Sequence, residues 1–91
     1  MTRLVDRNGH RVKVGDFLVC YNNRKGEENA KYNVVGAVEK VIEITNDHVT
    51  TKELKSLGTN NYEGKTWGWR SEDIAAFYMI ISKEEAITYM M

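Results

Sequence analysis

Proline is absent from the 91-residue chain, and cysteine occurs once, at Cys20. Without proline, backbone reversals fall to Gly, Asn and Asp. A single cysteine forms no internal disulfide, which excludes a stapled secreted scaffold. One cysteine with two histidines, His10 and His48, cannot complete a four-ligand zinc site without carboxylates, and no ligand spacing suggests a metal. An excess of either charge is missing too, since 13 Lys and Arg balance 13 Asp and Glu. Strong basicity is the usual mark of a general grip on nucleic acid, and strong acidity would be needed to mimic DNA. Long apolar runs are also lacking. The longest, Ile74 to Ile81, falls well short of the roughly 20 residues that cross a bilayer. The first residues hold no apolar stretch of signal-peptide length, so a cytoplasmic protein without membrane contact is expected.

What is present fits one small domain spanning residues 1–91. At 91 residues the chain can build one core but not two, and the large α/β enzyme architectures do not fit. Asn8-Gly9 predicts a type I′ hairpin turn, which wants positive φ at both central positions. Val12 and Val14 then alternate with polar residues over His10 to Val14. Gly15-Asp16 leads into Phe17 to Tyr21, a continuous apolar run of strand length. Residues 22–31 turn polar and charged, as an exposed loop would.

Asn33 to Ile44 carries apolar residues at helical spacing, but its many Val and Ile residues and Gly36 favour a strand. The apolar phase slips between Val38 and Val41, which predicts a bulge near Glu39-Lys40. Asn46-Asp47 reverses the chain into a second strand, His48 to Leu54. A polar loop over Ser56 to Lys65 precedes Trp67-Gly68-Trp69-Arg70, whose two indoles share a strand face. Ser71-Glu72-Asp73 reads as a helix start. One helix from there to the C-terminus is a rival, but its apolar stripe fails at Glu84 and Glu85. The favoured reading is a turn, a closing strand from Phe77 to Ile81, and a short helix from about Lys83, where Ser82 and Glu85 form a capping box. The expected fold is mainly β: an SH3-like barrel of about five strands, with residues 82–91 as a C-terminal helix packed on it.

The opening Asp6-Arg7-Asn8-Gly9 followed by Val14-Gly15-Asp16 and an apolar strand resembles the "D-x-N-G … G-D" start of small SH3-like barrels. It is found in many phage-encoded proteins, the YopX-like group among them. Gly15-Asp16 with Gly36-Ala37-Val38 is also similar to the KOW-type element of ribosomal and transcription-elongation proteins. The resemblance covers roughly the first 50 residues, with Ser71 to Ile81 as the turn and last strand of the barrel, and implies a phage-encoded barrel. The long 22–31 loop departs from the compact KOW spacing.

Catalytic groups are hard to assemble. Cys20 sits mid-strand, where a small buried hydrophobe is the plainer reading. His10 and His48 fall at turn–strand boundaries. The carboxylate pairs Glu27-Glu28, Glu72-Asp73 and Glu84-Glu85 are adjacent in sequence, as solvated or helix-start acids are, and are not spaced as an acid/base dyad. No Ser lies in a Gly-x-Ser-x-Gly setting and no Gly-rich loop enters a helix, so no cofactor is expected. The chain reads as a binder and not an enzyme.

Two patches could bind. Tyr62, Trp67, Trp69 and Arg70 combine the residue types that anchor protein interfaces, although one or both indoles are also wanted in the core. Tyr21, Arg24, Lys25, Lys31 and Tyr32 interleave bases with aromatics, as a single-stranded RNA or DNA site would. Residues 1–31 hold seven basic and four acidic residues, against six and nine over 32–91, so a local basic surplus exists within the neutral total. Ile87, Tyr89, Met90 and Met91 form an apolar helix end that could plug the barrel or support a weak homodimer in place of a monomer. The leading expectation is a non-enzymatic module that engages a host or phage protein. The alternative is a small nucleic-acid binder.

Overall fold

The computed structural model describes residues 4–21, 35–46, 48–55 and 62–91. Among them, Phe17–Cys20 (β1), Val38–Thr45 (β2), His48–Lys55 (β3), Thr66–Arg70 (β4) and Tyr78–Ile81 (β5) form one antiparallel sheet in the order β4-β3-β2-β1-β5. Helix Ser71–Phe77 (α1) joins β4 to β5, and helix Lys83–Met90 (α2) follows β5. The chain is thus mainly β with a short C-terminal helix.

β4 and β5 are the two edges of this sheet, which would lie about 19 Å apart if it were flat. Yet the rings of Trp69 on β4 and Tyr78 on β5 have centroids 5.5 Å apart. The sheet must therefore curl until its edges approach, giving a half-barrel with an inner and an outer face. Leu18 and Cys20 of β1 and Tyr78 of β5 point inward, with Val41, Val49 and Ile74 around them. Val19 of β1 and Ile81 of β5 point outward onto Val38 and Ala86 of α2. β1 and the edge strand β5 each contribute buried residues to both faces, which is why each reads as an unbroken hydrophobic run.

Local chemistry explains the boundaries. Ser82 caps α2: its hydroxyl accepts from the Glu85 N–H at 3.1 Å, and the Glu85 carboxylate accepts from the Ser82 N–H at 3.1 Å. The bulge expected in β2 is present as two register slips, between Val38 and Glu39 and between Val41 and Glu43. Thr45 pairs with His48, and Asn46 between them takes φ 38°, a conformation Asn tolerates.

Several expectations need correction. The first turn is centred one residue early, on Arg7-Asn8, because the Gly9 N–H donates to the Asp6 carbonyl at 3.0 Å. Only Gly9 of the Asn8-Gly9 pair has positive φ, at 83°. The Asp6 carboxylate dictates this, accepting from the Asn8 and His10 N–H groups at 2.9 and 2.8 Å. Residues 10–14 form no strand beyond a single bridge between Val5 and Arg11. A turn closed by the Asp16 N–H on the Lys13 carbonyl rotates the chain there, so Val12 is buried while Val14 is 60% exposed. Gly36 lies in the turn before β2 with φ 93°, not inside a strand; Asn33 and Val34 fall outside the described residues. The helix after β4 begins at Ser71 with Arg70 as its cap, and its Asp73 carboxylate accepts from the Arg70 N–H at 3.3 Å. It runs to Phe77, so the expected single turn is a short helix and β5 starts at Tyr78. α2 covers the outer face and does not plug the barrel end. Ala86 and Met90, one turn apart, face the sheet, while Ile87, Tyr89 and Met91 are exposed.

Candidate functional site

The inner face holds a polar group that the sequence does not advertise. Glu39 on β2 is fully buried. Its Oε1 accepts from the Thr51 hydroxyl and from the Trp69 indole N–H at 3.0 Å. Its Oε2 accepts from the Tyr78 hydroxyl at 2.7 Å. The same indole N–H also reaches the Thr51 hydroxyl oxygen at 2.9 Å. One carboxyl on the middle strand therefore binds a residue from each edge of the sheet, Trp69 from β4 and Tyr78 from β5. Three donors on one buried acid meet the requirement that interior polar groups be satisfied.

Directly opposite Glu39 in the β2–β3 register stands Glu53, also buried, and its Oε1 accepts from the Trp67 indole N–H at 3.0 Å. Each indole of β4 is thus held by its own carboxyl. Burial pushes the Glu39 carboxyl above the usual glutamate range and the nearby Glu53 charge adds to this, while the donors from Thr51, Tyr78 and Trp69 pull the other way. Burial, and then the Glu39 charge, push the Tyr78 hydroxyl well above its ordinary value. With its side chain sealed from solvent, Glu39 can position other residues but cannot meet a substrate.

Above these acids lies the aromatic strip. Trp67 and Trp69 face inward from alternate positions of β4 and are both half-buried. Trp69 packs against the inner core; Trp67 meets the half-buried Tyr62 ring edge-to-face at 5.2 Å. Arg70 does not join them. It is the next residue along the strand, so it falls on the other side, exposed and 3.7 Å from Glu72. Of the expected protein-binding set, Tyr62, Trp67 and Trp69 come together and Arg70 stands apart.

Of the nucleic-acid set, Tyr21 is 49% exposed, and the Arg7 guanidinium stacks on its ring at 4.4 Å from the centroid. Arg24, Lys25, Lys31 and Tyr32 lie outside the described residues. Cys20 is buried at the end of β1, and His10 and His48 are exposed. Among the described residues no cluster of metal-ligating side chains occurs, and no helix is long and apolar enough to cross a membrane.

Glu39, Thr51, Glu53 and Tyr78 escape a reading by motif because their partners are 12 to 39 residues away. One signal was available: Glu39 interrupts a β-branched run, and Thr51 and Glu53 share the strand phase of buried Val49. No family model, no curated protein and no solved structure matches the chain.

Proposed function

We propose that the chain is a non-enzymatic binding module that engages a protein partner through Tyr62, Trp67 and Trp69. One observation carries the reading: both indoles are half-exposed, yet each N–H is already held by a buried carboxyl. Rings fixed in advance lose little conformational freedom when a partner arrives, and Trp and Tyr are the side chains that most often dominate interface energy. The balanced charge favours a protein surface over a polyanion. The opening from Asp6 to Asp16 supports a phage-encoded module that meets a host or phage protein in the cytoplasm.

The test is a pull-down from bacterial host lysate with the wild-type protein beside Trp67→Ala and Tyr62→Ala variants. A protein retained by the wild type and lost by both variants supports the reading. Recovery of the same proteins by all three removes it.

A second reading has its own observation, the exposed Tyr21 ring with Arg7 stacked on it. A cation beside an aromatic face is the unit from which single-stranded nucleic-acid sites are built, and Arg24, Lys25, Lys31 and Tyr32 would extend it. A low-salt gel-shift titration tests it: a shift abolished by Arg24→Ala with Lys25→Ala supports this reading, and no shift excludes it.

A further inference from the structure

The two edges of the half-barrel are held over its inner face by one side chain. Trp69 of β4 donates to Oε1 of Glu39 and Tyr78 of β5 donates to Oε2, so the carboxyl spans the gap between edges that share no backbone pairing. Thr51 fixes the carboxyl from below, and its hydroxyl oxygen takes a second share of the same indole N–H. We propose that Glu39 is a proton-operated clasp whose charge state sets how firmly Trp69, and with it the aromatic strip, is seated. The clasp would regulate the binding surface proposed above and rests on that reading for its purpose, but its operation can be measured without any partner.

Consider what faces the carboxyl. From β3 comes Glu53, directly across the strand pair; from β5 comes Tyr78; Cys20 of β1 stands close enough to act on Tyr78. Lys40, its neighbour on β2, is exposed and stacks on Phe17, away from the inner face. β4 supplies only the indole N–H groups, and α1 contributes the apolar Ile74 and Phe77 to the cluster. Among the described residues, none of the groups acting on Glu39 is a cation.

In the protonated form Oε1 keeps its donors Thr51 and Trp69, the Oε2–H donates to the Tyr78 oxygen in place of accepting from it, and no buried charge opposes Glu53. Loss of that proton leaves an anion in an apolar interior opposite a second carboxyl, held only by neutral donors. Rising pH should therefore loosen the clasp and release the Trp69 indole, and falling pH should seat it.

The experiment follows the two indole N–H signals of the wild-type protein by NMR between pH 4 and pH 9, assigned with Trp67→Phe. The Trp69 signal is expected to move through one transition above the ordinary glutamate range and to exchange faster with solvent on its alkaline side. Glu39→Gln, which keeps shape but cannot ionise, should hold the Trp69 signal at its low-pH position throughout. Glu53→Gln, which removes the facing charge, should move the wild-type transition to lower pH. A Trp69 signal that does not respond to pH, or a Glu39→Gln protein with the wild-type transition intact, overturns the proposal. If Glu39→Gln does not fold, Glu53→Gln decides: an unmoved midpoint rejects the clasp. Failure here leaves the pull-down result untouched, and failure of the pull-down leaves the titration untouched.

Discussion

The outer face of the sheet is closed by hydrocarbon alone, whereas the inner face is closed by hydrocarbon and a buried acid. On the outer side Ala86 and Met90 of α2 lie on Val19, Val38 and Ile81, contacts without direction or charge. On the inner side Leu18, Val41 and Ile74 do the same, but Glu39 adds bonds whose geometry admits few arrangements. Apolar packing fixes that a face is covered. Directed bonds to a buried carboxyl fix which rings meet, at the cost of burying a group that prefers water.

That contrast can be broken most forcefully in what the two faces share, their apolar packing. Leu18→Ala on the inner side and Ile81→Ala on the outer should each remove about 2–5 kcal/mol in urea denaturation. A loss below about 1 kcal/mol from either would mean that its face is not a packed core. Tyr78→Phe deletes one donor from the clasp and should destabilise by about 1–3 kcal/mol, because an oxygen of a buried carboxyl is left without its partner. An unchanged midpoint would show that the bond contributes nothing.

The faces should also part in their response to pH. The folded chain holds the Glu39 proton more tightly than the unfolded chain, whose value is near 4.5. The stability this confers is complete below that unfolded value and is lost as pH rises through the higher folded one. Glu39→Gln should therefore gain on the wild type as pH rises from 4.5 toward neutrality, measured by denaturation at each pH. A constant difference would place the titration elsewhere. Ser82→Ala, which removes the cap of α2 on the outer side, should cost about 1 kcal/mol at any such pH. A loss that varied with pH would join the two faces. Smallest of all, Arg70→Ala should change thermal stability by no more than about 0.5 kcal/mol, since its pair with Glu72 is exposed. A larger drop would give Arg70 a role at the strip after all.

The readable parts of this protein are those with local causes. Phe17 to Cys20 and Tyr78 to Ile81 stand out as apolar runs because both of their faces are covered, and the Ser82–Glu85 box announces α2 within four residues of chain. The β2 bulge shows as a slip in apolar phase. Turn details were less legible: Asp6 recaptured the Asn8-Gly9 turn with its own carboxylate, a bond that the dipeptide does not foretell. Least legible was the clasp. Whether Glu39 points to water or to the interior depends on Thr51, Trp69 and Tyr78 arriving from three other strands, and the interrupted β-branched run around Glu39 does not name them. The aromatic strip fell between these cases. Alternation put both indoles on one face, but only the register with β3 shows what holds them, and the same alternation removes Arg70.

Asp6 carries a consequence for the order of assembly. Its carboxylate accepts from the Ile80 N–H at 2.8 Å across 74 residues of chain, and the Arg7 N–H donates to the Tyr78 carbonyl at 2.9 Å. The first turn therefore has no seat until β5 exists, and β1 lacks one of its two neighbours until then. During synthesis, which proceeds at about 5–20 residues per second, the β2–β3–β4 meander can pair as it emerges from the ribosome, while the N-terminal segment waits. Closing so long a loop is entropically costly and comes late. Until β5 is made, the nascent chain presents β1 with one apolar edge unpaired.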